Sequence, residues 1–492
     1  MTAAREDLRP FGRLRAAARR VDAIPLAVAG LTLAAFLLLL SQIHQSLYED
    51  EGFAYSEVVG HGLISMIHTV GTGVEVSPPL FFVLAWFSVK LGDPLVWIRL
   101  PSLILGAATI PVIYLLGRET VGRAAGAIGA AAFAVSPFSL FYGVQARPYA
   151  TAAFFTVLST YALVRAVRSD ERRWWVLYAL AAAAYSHYTA VFVLVVQAVW
   201  ALWACRTRWR RPLTANLAAV VLYLPWLAYL HGGPHLAIYA LIESFTARHV
   251  LQDVVRFVAG YPYAPLHAIP TVPGFAAIAA AAVLGGLLLA RRYLSGRAHA
   301  AYDVSRGGLL LIVALALATP AGVLLYSILR TDIWDARNLY ASAPAAALVL
   351  GGLLAAIPRP ARAAAGAGVL AVLAPGTVCA ISPSYARPPF RAPARYLDEV
   401  AGPRDPVVTY PPFGRVAGDI PVEFEKPHPL VNTPPARWPQ HISAAHAYVV
   451  MYDARGRAPR VPIPHPRGYA LVSRRHYSGL LSFTVFGYRR VS

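Results

Sequence analysis

Three consecutive carboxylates, Glu49, Asp50 and Glu51, stand in the stretch SLYEDEGFAYSEVV at residues 46–59. The chain has 24 acidic and 44 basic residues, yet it places these three just after the apolar run IPLAVAGLTLAAFLLLLSQI, where a hydrophobic helix leaves a membrane. An Asp carboxylate, with a reference pKa near ~3.9, is ionised at neutral pH and able to act as a general base. The structural alternative is a solvated acidic first turn, favourable with the helix dipole. Farther on, SPFSLFYGVQARPYA at 136–150 sets Gln145, Arg147 and Tyr149 in a polar island between two apolar runs. YSHYTA carries His187 and Tyr188, and RTDIWDARNLYASAP at 330–344 carries Arg337 just before another apolar run. A guanidinium in such a place can grip a phosphate bidentately. The alternatives are interfacial anchors: Arg147 alone, Arg337 paired with Asp332 or Asp335, and His187 as an ordinary residue at a helix end.

The elements that must position these residues follow from composition. The 492 residues are 57% hydrophobic and 14% charged, against roughly 25% charged for a soluble domain. Mean hydropathy is +0.52, and repeated apolar runs mark a polytopic membrane protein. The net charge of +20 does not point to nucleic acid, because most basic residues fall in short loops between apolar runs, the positive-inside pattern. Cys205 and Cys379 are the only cysteines, too few for a disulfide framework or a thiolate metal site. The first apolar run is too long for a signal-peptide core and reads as a span.

Eleven spans are expected, at about 24–43, 99–117, 124–142, 149–166, 174–187, 188–205, 213–231, 274–290, 307–328, 339–357 and 364–382. The tract 79–93, PLFFVLAWFSVKLGD, decides the topology. If it does not cross, the Arg-rich segments 5–20, 118–123, 165–173, 206–211, 291–306 and 359–362 all share one side. It is therefore expected to lie at the surface as a juxtamembrane helix, with the 53–68 tract as another roofing the site. The loops 44–98, 143–148, the turn at 187/188, 232–273 and 329–338 then face outward with every candidate residue. Three regions result: a basic cytoplasmic N-terminus at 1–23, a membrane domain at 24–382, and an outward α/β domain at 383–492. In the last, RYLDEV reads as a helix and PVVTYPP, AHAYVVMYD, GYALVSR and LLSFTVFGYRR as strands.

Taken in order, Asp50-Glu51, SPPL at 77–80, RLPS at 99–102, GR at 117–118, SPFSLFYGVQARPY at 136–149 and ARNLYASAP at 336–344 resemble the GT-C glycosyltransferases. The pattern is similar to the bacterial family-39-like members related to protein O-mannosyltransferases and aminoarabinose transferases, over roughly residues 40–345. That resemblance implies transfer of a sugar from a polyprenyl-phosphate carrier to a glycan, lipid or protein acceptor at the extracytoplasmic face of a bacterial plasma membrane. It makes Asp50 the catalytic base, with Glu51 beside it as support. Relatives of the aminoarabinose type carry Lys before the Pro pair, where this chain has Ser77. Carrier phosphate and donor then fall to Arg147, Arg337 and Lys90, with Gln145, Tyr149, His187 and Tyr188 around them. A phosphate departs without a protonating acid, so one base suffices, and a single displacement inverts the anomeric centre.

No cofactor is expected. The sequence has no Walker A loop, no D-x-D in a cytoplasmic loop and no zinc spacing, and three adjacent acids rarely converge on one divalent ion. The rival class is a polytopic transporter, or a lipid-linked glycan flippase or ligase. Transporters set ionisable groups near the membrane midplane, whereas the spans here are nearly free of charge.

Overall fold

A computed structural model describes residues 23–48, 50–72, 77–184, 186–227, 245–259, 283, 285–288, 291, 306–382, 387–410, 423–431, 444–453, 468–479 and 482–491. The expected N-terminal region, Glu49, the span at 274–290, the basic segment 291–306 and most of the loop 232–273 lie outside these residues, wholly or in all but a few positions.

The described helices are α1 (Ala23–Leu40), α2 (Asp50–Val58), α3 (Leu63–Thr72), α4 (Leu80–Ser88), α5 (Leu100–Thr120), α6 (Arg123–Ala134), α7 (Pro137–Tyr142) and α8 (Tyr149–Ser169). After them come α9 (Arg172–Ala182), α10 (Ala190–Ala204), α11 (Arg210–Leu227), α12 (Ala247–Ala259), α13 (Arg306–Leu329), α14 (Ala343–Ala356), α15 (Arg359–Ile381) and α16 (Arg391–Val400). Among the described residues six stretches are long and apolar enough to cross a bilayer: Ala23–Leu40, Pro94–Thr120, Tyr149–Ser169, Gly307–Leu329, Ala336–Ala356 and Arg359–Ile381. The chain is thus a mostly helical integral membrane protein.

Three breaks interrupt the apolar tracts, the last of them at the expected 187/188 turn. The expected span 124–142 breaks after α6, because Pro137 removes a backbone donor and starts α7, with the Ser136 hydroxyl accepting the Ser139 N–H at 3.4 Å. The tract 53–68 is two helices rather than one. Gly60, at φ +83, turns the chain between α2 and α3 through a backbone region that only glycine enters freely. The run from Arg172 to Cys205 is likewise two helices, α9 and α10, with His187 in the turn between them. The tract 79–93 forms α4 and a 3₁₀ turn, Val89–Leu91. Nine α-helical residues rise only about 14 Å, half a hydrocarbon core.

The membrane core closes through small residues. Helices α5, α6 and α14 meet at Gly117, Gly126, Gly129 and Gly351, where backbone replaces side chain as the contact surface. A Cβ on Gly351 would lie 2.7 Å from the Gly129 nitrogen, whereas one on Gly352 would meet nothing within 4 Å. Gly351→Ala is therefore expected to destabilise by about 1–3 kcal/mol, lowering the melting temperature in detergent, while Gly352→Ala leaves it unchanged. Equal melting of the two variants would contradict this packing.

In the C-terminal region strands β1 (Val407–Tyr410), β2 (Leu430–Val431), β3 (His446–Asp453), β4 (Tyr469–Tyr477) and β5 (Ser482–Arg490) form one sheet in the order β2-β1-β3-β5-β4. β1 runs parallel to β2 and β3, and β5 antiparallel to β3 and β4. Helix α16 buries Tyr396 and Leu397 against Val407, Val450 and Phe483. Tyr48, from the loop after α1, joins the same cluster. The Arg391 N–H donates to the Ser46 hydroxyl at 2.9 Å, and its guanidinium holds Glu423 and Asp93. The sheet thus rests on the loop that carries Asp50.

Candidate active site

Helix α2 starts at Asp50, so the sequence sets that carboxylate at a helix entrance where acids are favoured. Its Oδ2 accepts a hydrogen bond from Arg337 Nη1. The two side chains are 14% and 18% exposed, enough to be reached from outside. Arg337 sits on the 3₁₀ helix Ala336–Ser342, whose first N–H groups are tied by Asp335. Asp335 Oδ1 accepts the Arg337 N–H at 3.0 Å and Oδ2 stands 3.2 Å from its Nε, so backbone and guanidinium are oriented by one carboxylate. From the loop between α7 and α8 comes Arg147, only 4% exposed, whose Nη1 donates to the Asp50 carbonyl at 3.4 Å.

These charges set the state of the base. Burial is the largest influence on Asp50 and pushes its pKa up, but Arg337 and then Arg147 outweigh it and hold the carboxyl below its ordinary value. Asp50 is therefore ionised at neutral pH. Beside Arg147, the Tyr149 ring lies 5.2 Å from Tyr142 and 5.3 Å from His187, and 6.0 Å from the Arg147 guanidinium carbon. Burial, Arg147 and Arg337 bring His187 down to about 3, so it is neutral. Its Nδ1 accepts the Thr189 N–H at 3.3 Å, which leaves the proton on Nε2.

Glu51 is placed differently from its neighbour. It is fully buried and accepts from Arg99 Nε and Nη2 at 2.9 and 2.8 Å, from the Tyr48 N–H at 3.0 Å and from the Ala146 N–H at 2.7 Å. Arg387 Nε stands 3.4 Å away. Arg99 in turn donates to the carbonyls of Ile43, Gln45 and Ser46. This carboxylate thus joins the end of α1, the start of α2, the Arg147 loop and the C-terminal region. Despite burial, Arg387 and Arg99 bring it down to about 2.

The structure gathers Asp50, Arg147, Arg337, Tyr149 and His187 at one place. Gln145, 2% exposed, lies two residues from Arg147 in the same loop. It does not bring Lys90 into this cluster: the ammonium sits 3.0 Å over the Trp86 ring, exposed, and Asp50 responds to the two arginines instead. Tyr188 is also apart, its exposed hydroxyl accepting Trp226 Nε1 at 3.1 Å. Arg99, Arg387 and Glu57 were not singled out from the sequence. Arg99 lies in the RLPS motif and only its burial separates it from interfacial arginines. Glu57 follows Asp50 by seven residues, a spacing that keeps one helix face. Among the described residues no group of three or more His, Cys, Asp or Glu is arranged to hold a metal ion.

A base held ready between two guanidinium groups suits a reaction in which a hydroxyl loses a proton while negative charge builds on a leaving phosphate. Comparisons with known proteins agree in class. Residues 76–229, less than half of the chain, match the family of dolichyl-phosphate-mannose-protein mannosyltransferases. The search of curated proteins gives no match. Among solved structures, ArnT from Cupriavidus metallidurans in the apo state is similar at a TM-score of 0.55 and 13% identity, covering 95% of this chain and 98% of that one. ArnT bound to undecaprenyl phosphate is similar at 0.51 and 15% identity, covering 94% and 97%. The chain thus shares the fold of ArnT along nearly its whole length, and its residues 76–229 are similar to the dolichyl-phosphate-mannose-protein mannosyltransferase family.

Proposed function

We propose that the protein transfers a sugar from a polyprenyl-phosphate carrier to an acceptor hydroxyl at the extracytoplasmic face of a bacterial plasma membrane, inverting the anomeric centre. The observation that carries this reading is the Asp50–Arg337 ion pair beside Arg147, half-open at the end of α1. Asp50 takes the acceptor proton as the acceptor oxygen attacks the anomeric carbon. The carbon–oxygen bond to the phosphate breaks, and the electron pair leaves with the carrier. Arg337 and Arg147 take up that growing charge, and the step needs no metal. ArnT's capture with undecaprenyl phosphate suggests the same carrier class here. Eleven spans, with the N-terminus cytoplasmic and the C-terminal sheet outside, would put Asp50 where such a carrier presents its sugar. Glu51 acts as a positioning residue.

The test is transfer by the purified protein from undecaprenyl phosphates labelled in mannose, glucose or arabinose, in EDTA, with the product's anomeric configuration read by NMR. Product of opposite configuration to the donor is expected. Retained configuration, or solute movement in vesicles with no transfer, overturns the proposal. Arg337→Lys removes the planar fork but keeps the charge, so undecaprenyl phosphate should bind about tenfold more weakly. Equal binding would shift the phosphate to Arg147.

A further inference from the structure

Helix α2 carries Asp50, Ala54 and Glu57 at i, i+4 and i+7, one face of the helix. Glu57 is 5% exposed, and its Oε2 has no hydrogen-bond partner among the described residues. Two other buried carboxylates, Glu51 and Asp398, are saturated. Glu51 accepts from two backbone N–H groups and a guanidinium, and Asp398 from the N–H groups of Glu425 and Lys426 and the His428 ring. A buried carboxyl oxygen left alone is costly, and a native fold retains one where something else completes it. Burial brings Glu57 up to about 7, opposed by Arg147, the cation whose charge reaches it. The same Arg147 donates to the Asp50 backbone. On its loop Gln145, 2% exposed, also has an unpaired carbonyl oxygen, Oε1. Two buried oxygens without partners therefore lie on the helix that carries Asp50 and on the loop that carries Arg147, the residue that the proposed function assigns to the carrier phosphate.

We propose that Glu57 and Gln145 form the subsite for the donor sugar, each accepting a hydrogen bond from one of its hydroxyl groups. This rests on the reading of Arg147 as a phosphate-binding residue. A sugar joined to that phosphate has its first hydroxyls within one ring of it, and each hydroxyl can donate its proton to an unpaired oxygen. The acceptor substrate is a poorer occupant, because it approaches the anomeric carbon from Asp50.

The experiment is equilibrium binding to full-length protein carrying Asp50→Asn, so that no donor is consumed. Bare undecaprenyl phosphate is compared with its mannosyl, glucosyl and arabinosyl forms. At least one sugar-bearing carrier is expected to bind more tightly than the bare one. Adding Glu57→Ala should cancel that preference, weakening the sugar-bearing carrier about ten- to hundredfold and leaving the bare carrier unchanged, which also shows that the site is folded. Glu57→Gln, which keeps the volume and one accepting oxygen, should restore most of it. No preference for any sugar-bearing carrier, a preference that survives Glu57→Ala, or equal weakening of both carriers overturns the subsite. Failure of the proposed function reads differently: the bare carrier would then not bind at all.

Discussion

Asp50→Asn is expected to lower the rate of sugar transfer about a hundred- to ten-thousandfold, the range for loss of a positioned general base. The replacement is nearly isosteric, and its amide oxygen can still accept from Arg337, so the 3₁₀ helix at Ala336–Ser342 should keep its place. Affinity for the bare carrier phosphate should not fall with the rate. It should rise several-fold, because a negative charge that competes for Arg337 and Arg147 has been removed. Loss of rate with retained or tighter binding is the signature of a group used in the chemical step. A variant that transfers sugar within tenfold of the wild type would end the assignment. Parallel loss of rate and carrier binding would mark Asp50 as a structural partner of Arg337.

The same ion pair explains how a depressed pKa is compatible with a base. In the free protein Arg337 and Arg147 hold Asp50 ionised but weakly basic. A carrier phosphodiester brings one negative charge to those guanidinium groups and offsets their field at Asp50. Burial, already the largest influence, then pushes the carboxyl back up. On the proposed mechanism Asp50 would gain basicity only when the donor is seated, and acceptor hydroxyls alone would meet a carboxylate already engaged by Arg337.

Much of this cluster was legible because membrane bookkeeping leaves few choices. Polar residues between apolar runs must collect at the faces, and the outward assignment of 44–98, 143–148, 187/188 and 329–338 put Asp50, Arg147, His187 and Arg337 within reach of one another. Polar patterning alone does not separate Asp50 from Glu51; only the family resemblance gave them different roles. Neighbours on a helix point about 100° apart, and which one turns toward Arg337 depends on the helix's rotation, which is fixed by Arg99 and the Ala146 N–H. Lys90 was a candidate because Ser77 stands where the family resemblance expects a phosphate-binding Lys, but Lys90 lies on the exposed 3₁₀ turn after α4, with its ammonium over the Trp86 ring. Glu57 was hidden for the opposite reason. In EVVGHG it looks like a solvated helix end, and only the packing of α2 under the loops buries it.

Glu51→Ala should be strongly destabilising, costing roughly 3–5 kcal/mol, because it removes the carboxylate that faces two buried guanidinium groups, Arg99 and Arg387. Arg99 would keep its three backbone acceptors but lose the Glu51 carboxylate, and the Tyr48 and Ala146 N–H groups would lose that acceptor too. The melting temperature in detergent should drop by several degrees, and Glu51→Ala with Arg99→Met should recover part of the loss, since the stranded charge is then gone. The pH dependence fixes the cause. Folding lowers the Glu51 pKa from 4.5 to about 2, so its stabilisation is complete above pH 4.5 and is lost as pH falls through about 2. The gap between wild type and Glu51→Ala should therefore be constant from neutral pH to about 5 and narrow on further acidification. A gap that stays fixed down to pH 3, or an unchanged melting temperature, would mean that Glu51 fills space without holding the arginines. A gap that narrows would show that the ionised carboxylate stabilises the fold beside Asp50, and Glu51→Ala is then expected to lower transfer as well, because the site loses its frame.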